Sequence, residues 1–309
     1  MQLSEQAEPA LLELLRLLDE AGYDFVTPTP ATHARVVARA AQAKGVRDIF
    51  GWSLPFAADR LSPAMLSCLE RAHAVTATGA LLQSQVRVSR ILGHLFVHSA
   101  YPTEAEDAVF FGPDSYRFVD FVRAELARVT GVRRLVDIGA GSGVGGIMAA
   151  ALVPAARITL LDVNPTALRL AAINARFSGV DVETIDGQGI DAVSGLIDLA
   201  IANPPYIMDE GDRTYRDGGD LHGARLSLDW TLAAARRLEP GGRMLFYTGV
   251  AMVDGRDALR AALEQALPEL GCTLRYRELD PDVFGEELDK PAYADVERIA
   301  AVGAVVEKA

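Results

Sequence analysis

An α/β architecture with a mainly parallel sheet, preceded by a helical domain, is what this sequence predicts, on three observations. Beyond Pro102, short β-rich apolar runs alternate with amphipathic helical stretches. A glycine-rich loop joins one such run to the helix after it. Residues 1–78, by contrast, carry helical rather than strand periodicity.

Taken in order, Leu11, Leu12, Leu14, Leu15 and Leu18 recur at helical spacing with Glu13, Arg16 and Asp19 between them, predicting an amphipathic helix over residues 9–18 that ends near Gly22. Helices follow over residues 31–44 and 62–74, separated by a turn region at 51–55. Residues 1–78 thus read as a helical substrate or partner domain, and residues 79–103 as a β-rich connector. In the connector, Val86, Val88 and residues 92–97, broken by Gly93, predict a short hairpin. His94 and His98 share a strand face there, and we read them as structural, since a metal site needs more converging ligands.

Residues 104–309 form the α/β domain. A helix over 116–129 puts Phe118, Phe121, Val122 and Leu126 on one face. The strand at 134–138 enters the glycine loop and the helix at 144–152 leaves it. A strand at 157–161 leads to a helix through 167–177, opened by Asn164 as cap and Pro165 in the first turn. Strands at 182–185, 197–202 and 244–248 continue the sheet, with a helix over 226–238 before a turn at 239–242. Two last strands, 273–279 and 296–306, flank an acidic, proline-containing loop.

With 309 residues, half of them hydrophobic, the chain buries a full core with room for a second domain. The formal net charge of −12 and the lack of a basic tract disfavour a nucleic-acid partner. Cys68 and Cys272 are isolated and show no metal or redox spacing. The segment from Met1 is acidic where a signal peptide is basic, and no apolar run approaches the roughly 18 residues that span a bilayer. We therefore expect a soluble, cytoplasmic protein without a membrane partner.

The loop Asp137-Ile-Gly139-Ala140-Gly141-Ser-Gly143 allows the backbone to turn sharply and approach a ligand closely. Asp137, ahead of the first glycine, repels a pyrophosphate and suits a cationic amino acid portion. Asp162, followed by Val163, ends the next strand, where a carboxylate accepts hydrogen bonds from ribose hydroxyls. Asp186 and Gly187 end the strand after that, placing a carboxylate within reach of an adenine amino group; a plain turn is the other reading. The tetrapeptide Asn203-Pro204-Pro205-Tyr206 ends the apolar run 197–202. An Asn side-chain carbonyl and the Pro204 backbone carbonyl can together accept both hydrogens of one planar NH₂, and the prolines stiffen that arrangement. Tyr206 offers a flat face against which a planar group can lie. These features point to methyl transfer onto a nitrogen.

In this order, Asp137 to Gly143, Asp162 and Asn203 to Tyr206 resemble the motifs of class I S-adenosylmethionine-dependent methyltransferases with an NPPY signature. The segment Arg216-Asp217-Gly218-Gly219 to Gly223 is similar to the one that follows NPPY in release-factor glutamine methyltransferases, in the methyltransferase small domain group. The likeness runs from Glu104 to Ala309. It implies S-adenosylmethionine as cofactor and a seven-stranded Rossmann-like sheet in the order 3-2-1-4-5-7-6, with one antiparallel strand, the last to enter. It also implies Asn203 and Pro204 as acceptors for the target amine, and Phe111 and Tyr116, beside Phe110, as residues that line the methionine end or the acceptor slot; aromatic core staples are the alternative. Residues 1–103 do not match the short helical bundle of the release-factor enzymes, and they are expected to choose the acceptor.

The implied activity is N-methylation of a planar nitrogen, with a protein glutamine preferred to an adenine amine of RNA or DNA or to a small molecule. An NAD-dependent oxidoreductase accounts for the glycine loop and Asp162 but not for Asn203 to Tyr206. A non-catalytic scaffold or sensor that binds S-adenosylmethionine is the remaining alternative. The sequence leaves the oligomeric state open.

Overall fold

The computed structural model describes residues 3–103, 105–208 and 218–309. Glu104, Arg216 and Asp217, which figure in the sequence reading, lie outside the described residues. The chain groups into two compact units. One comprises Met1–Tyr116 with Gly141–Val144 and Pro165–Asp181; the other comprises Arg117–Ala140, Gly145–Asn164 and Val182–Ala309.

In the first unit, helix α1 (Ala7–Glu20) buries Leu11, Leu14, Leu15 and Leu18 completely, as its leucine stripe predicts. Helix α2 (Pro30–Val37) starts at Thr29, whose hydroxyl accepts from the Thr32 amide at 3.3 Å. It stops well short of the predicted residue 44. Gly45 opens a separate short helix, α3 (Val46–Phe50), anchored by the Lys44 amide donating to Asp48 Oδ2 at 2.8 Å. Helix α4 (Pro63–Ala72) begins at Ser62, whose hydroxyl accepts from the Met65 amide. A hairpin of β1 (Val75–Thr78) and β2 (Leu81–Ser84) follows, turning at Gly79 in the left-handed region. It replaces the end of the predicted helical stretch. The anticipated second hairpin pairs β3 (Val86–Ile91) with β4 (His94–Ser99), antiparallel around Leu92 and Gly93.

Helix α5 (Pro113–Leu126) carries the chain from the first unit into the second, with Phe118, Phe121, Val122 and Leu126 all buried. Then come β5 (Arg134–Ile138), α6 (Val144–Ala150), β6 (Arg157–Asp162), α7 (Pro165–Phe177), β7 (Val182–Asp186), β8 (Ile197–Ala202), α8 (Arg225–Arg237), β9 (Leu238–Val253), β10 (Arg256–Asp257), α9 (Ala258–Ala266), β11 (Cys272–Asp280) and β12 (Arg298–Lys308).

The strands of the second unit lie in the order β7-β6-β5-β8-β9-β12-β11, the arrangement the resemblance implies. β5 to β9 are parallel, and β12 runs antiparallel to both β9 and β11. The expected count of seven is exceeded by the two-residue β10, a second antiparallel strand on β9. Strand β9 begins at Leu238 and runs through Pro240 to Gly242, where a turn was expected. Turn geometry is kept within the strand: Gly241 has a φ of 76°, a Cβ on Gly242 would stand 2.8 Å from the Glu239 carbonyl oxygen, and the pairing with β8 shifts register between Ile197 and Leu199. Val136, Ile138, Ala200, Ala202, Met244 and Phe246 are all buried, as in strands covered on both faces.

Helix α7 belongs to the first unit. Its Ala167, Leu170 and Ile173 join the apolar cluster built on the α1 leucines. Asn174, fully buried, closes a bridge: its Oδ1 accepts from the Val97 amide at 2.8 Å, and its Nδ2 donates to the carbonyls of Val97 and Ser142 at 2.9 Å each. Removing that side chain strands buried backbone groups, each costing about 1–3 kcal/mol. Asn174→Ala is therefore expected to lower the stability of the chain by about 2–4 kcal/mol in urea unfolding; a loss under about 0.5 kcal/mol, the range of neutral surface changes, contradicts this. No helix among the described residues is long and apolar enough to cross a membrane.

Candidate functional site

The site is assembled where parallel strands end. Ile138 of β5 pairs with Leu161 of β6 and Ala202 of β8, and Asp162 pairs with Asp186 of β7. Gly139, Asp162, Asp186 and Asn203 thus all stand at the carboxyl ends of adjacent strands, the usual ligand crevice of open α/β sheets.

Asp137, one residue inside β5, is buried and accepts from the Gly146 amide at 2.7 Å through Oδ2. A Cβ built on Gly145 would stand 2.9 Å from that oxygen and 2.5 Å from the Phe118 ring, so glycine lets the helix start close against the carboxylate. Burial pushes the carboxyl up to about 7; the Gly146 N–H works against that and the Asp162 charge adds to it. Because the folded pKa lies above the ordinary value, the folded chain holds this proton more tightly than the unfolded chain. Its contribution to stability is full below about pH 4 and is lost as the pH rises through 7. Without ligand, the wild type should lose up to about 1.4 kcal/mol per pH unit in that window relative to Asp137→Asn. Parallel stability curves for the two proteins would contradict this.

The loop itself turns through left-handed backbone at Gly139, Gly141 and Gly143, with φ of 68°, 55° and 79°. The Gly139 and Ala140 amides donate to the Leu161 carbonyl at 2.8 and 3.0 Å, which ties the start of the loop to β6. Gly139 has a second reason to be glycine: a Cβ there would meet the Trp230 ring at 2.6 Å. The same indole lies 3.8 Å from the Cβ position of Gly189. Trp230 on α8 was missed in the sequence. Its only signal there was being one of two tryptophans.

Asp162 is half-buried, and its Oδ1 accepts from the Asn164 amide at 2.9 Å, fixing the strand end. Val163 beyond it is 42% exposed, a large apolar side chain left open beside a carboxylate. Asp186 is exposed, and the Gly187 amide donates to the Asp162 carbonyl at 3.1 Å, which holds the two strand ends together.

Asn203 follows β8 directly. Its Oδ1 is buried and has no hydrogen-bond partner among the described residues. Pro204 is buried beside it. Tyr206 corrects the sequence reading. Its ring is buried against Gly249, where a Cβ would stand 2.4 Å away, and meets Phe284 edge-on at 5.7 Å. Covered by β9 in this way, it anchors the tetrapeptide instead of presenting an open face. The glycines after the tetrapeptide have a matching role. A Cβ on Gly218 would fall 2.7 Å from Tyr206 Cα, and one on Gly223 would fall 2.3 Å from the Tyr206 carbonyl oxygen. The Gly218 amide donates to the Ile207 carbonyl at 2.9 Å, and the Met208 amide to the Tyr293 hydroxyl at 2.8 Å.

Phe111 and Tyr116 are a second correction. Phe111 is 2% exposed and stacks on His98 at 5.0 Å, with Tyr116 edge-on at 5.4 Å. The Tyr116 hydroxyl accepts from the Thr27 amide. Phe111 is thus a core residue of the first unit, the staple alternative, because an aromatic ring at a helix start gains more from burial than from solvent, whereas Tyr116 is half-buried. His98 is held inside the same core, Nδ1 donating to the Ser99 carbonyl and Nε2 facing the Ser89 hydroxyl at 2.8 Å. Cys68 and Cys272 are buried free thiols, pushed up by desolvation.

Residues 121–266 match the family model of the methyltransferase small domain. Just under half of the chain is thus similar to that domain. Members of that family take S-adenosylmethionine as methyl donor. Over 179 residues the chain is 31% identical to the release factor glutamine methyltransferase of Deinococcus radiodurans, covering 57% of this chain and 63% of the relative. Over 72 residues it is 36% identical to the ribosomal RNA small subunit methyltransferase C of Pseudomonas entomophila, 23% of this chain and 22% of that one. The chain thus spans less than two thirds of the curated relatives it matches. A methyltransferase structure from Pyrococcus furiosus aligns with a TM-score of 0.45 at 17% identity, over 65% of this chain and 88% of that one.

The residues fit that donor. Paired carboxylates at adjacent strand ends suit ribose and adenine donors, an exposed Val163 suits an apolar ring edge, and a buried carboxylate near neutrality suits a nearby ammonium.

Proposed function

We propose that this chain is an N-methyltransferase that moves a methyl group from S-adenosylmethionine to a planar nitrogen, and that the acceptor is a glutamine side-chain amide of a protein. The supporting observation is the Asn203 Oδ1 atom at the end of β8, buried and without a partner among the described residues. An unsatisfied buried acceptor costs about 1–3 kcal/mol, a cost that an incoming N–H removes. The donor, when bound, supplies a methyl group on a positively charged sulfur. Asn203 and the Pro204 carbonyl would hold the two amide hydrogens, turning the nitrogen toward that methyl and polarising its N–H bonds. No strong base is needed before transfer, because the nitrogen sheds its proton afterwards. Asp162 would hold the ribose, Val163 and Asp186 the base, and Asp137 with the glycine loop the amino acid end.

A protein acceptor is supported by the release-factor relatives and by the net charge of −12. The choice of acceptor falls to residues 1–103, which lie outside the matched region. The test is transfer of a labelled methyl group from S-adenosylmethionine to fractions of cell extract, with mass spectrometry of the labelled protein. Methylglutamine in a protein supports the proposal. Label recovered in RNA, with activity falling steeply as salt rises, favours the nucleic-acid reading that the ribosomal RNA relative represents.

A further inference from the structure

The first unit buries a charge for which the methyl-transfer reading has no use. Arg87, on β3, is 4% exposed. Its Nε donates to the Gly51 carbonyl at 2.9 Å, while its Nη2 is buried with no hydrogen-bond partner among the described residues. Among the described residues no carboxylate pairs with it: the phenols of Tyr23, Tyr116 and Tyr101 act on it, and burial holds it down at about 10. Its guanidinium carbon lies 5.4 Å from the Phe25 ring centre, and Arg47 lies the same distance from that ring. Two guanidinium groups thus share one aromatic ring.

His33 adds a second unpartnered atom. It is 2% exposed, the one buried residue of α2, and its Nδ1 has no partner among the described residues. The ring packs on Tyr101 at 4.1 Å and Trp52 at 5.5 Å, and it hydrogen-bonds to the Trp52 backbone. Arg87 and His33 are therefore tied to consecutive residues, Gly51 and Trp52.

We infer that Arg87 forms a binding site for an oxyanion, a carboxylate or phosphate carried by a small molecule, inside the N-terminal unit. A guanidinium taken out of water without a counter-ion is costly, and the cost is removed when an anion accepts from the vacant N–H. Arginine serves this purpose better than lysine, because its planar fork meets two oxygens at once and its charge persists when desolvated. The aromatic neighbours Phe25, Trp52 and Tyr101 suit an organic body attached to the anion. The site uses none of the residues assigned to methyl transfer, so it stands or falls independently of that assignment.

The test titrates the full chain with inorganic phosphate and, separately, with acetate, each against sodium chloride at equal ionic strength. It follows thermal melting and, in a Trp230→Phe background, the fluorescence of Trp52, which then is the one tryptophan left. One of the two probes should raise the melting temperature and change the Trp52 signal beyond the chloride control. A response to phosphate alone identifies a phosphorylated ligand, and a response to acetate alone a carboxylate. Arg87→Met should bind that probe at least about tenfold more weakly, as expected when a charge-assisted hydrogen bond is lost. Without ligand, the same variant should still fold and melt cooperatively, since removal of an uncompensated charge offsets the lost contact to the Gly51 carbonyl. A wild type indifferent to both probes overturns the inference. So does an Arg87→Met protein that fails to fold, or one that responds like the wild type, since either assigns the arginine a purely structural role.

Discussion

Asn203→Ala is expected to lower methyl transfer to the native acceptor by about 100-fold or more while leaving the affinity for S-adenosylmethionine within a few-fold. The reasoning starts from the unpartnered Oδ1. Among the described residues this buried acceptor is unsatisfied, so deleting it should leave the melting temperature unchanged or slightly raised. In the acceptor complex the same atom receives an amide N–H, and its loss leaves the nitrogen free to rotate out of line. The split between an intact cofactor affinity and a collapsed rate constant is the signature, measured by calorimetry and single-turnover assays on the same preparation. A variant that turns over at near-normal rates removes Asn203 from the chemistry. One that loses cofactor binding in step with activity makes it part of the cofactor pocket.

Why that residue was legible from sequence, and others were not, follows from the kind of information each needs. Asn203 sits at the end of an apolar run, and a strand that ends in a polar tip is a local pattern; the same holds for Asp137, Asp162 and Asp186, all found at or just inside strand ends. The leucine stripe of α1 was equally local. Tyr206 was misread, and Phe111 was left between two readings, because an aromatic ring beside a motif signals burial without saying which partner covers it; the covering groups, His98 for Phe111 and Gly249 for Tyr206, come from distant parts of the sequence. Trp230 was overlooked for the same reason, being 91 positions beyond the glycine it covers. Helix α7 was recognised as a helix from its own residues. That its apolar face and Asn174 serve the N-terminal unit depends on contacts with Val97 and the α1 leucines, which no periodicity within the helix encodes. In strand β9 the turn signals of Pro240, Gly241 and Gly242 are expressed within the strand, with Gly241 at φ 76°, and the ten-residue pairing with β12 begins only after them, at Arg243.

Asp162→Ala is expected to weaken S-adenosylmethionine binding by about 1.5–3 kcal/mol, roughly 10- to 150-fold, the range for hydrogen bonds to a charged group. Alanine, however, also removes the contact between Oδ1 and the Asn164 amide that shapes the end of β6, so part of any loss could reflect a displaced loop. Asp162→Asn separates the two effects. Its side-chain oxygen can still accept from the Asn164 amide, but the negative charge is gone and one oxygen has become a donor, so the ribose loses an acceptor. We therefore expect Asp162→Asn to keep the wild-type melting temperature within about 1 °C, a shift that corresponds to a small fraction of a kcal/mol. Its affinity for the cofactor should nonetheless fall by at least about tenfold. Asp186→Ala should cost less than Asp162→Ala, because Asp186 is exposed and its hydrogen bonds compete with water. NAD should bind none of these proteins measurably, since a pyrophosphate brought to the loop meets the charge of Asp137 as that group ionises above about pH 7. Calorimetry that ranks Asp186 above Asp162, or finds wild-type affinity in Asp162→Asn, places the ribose elsewhere in the crevice and shifts the cofactor assignment away from the end of β6.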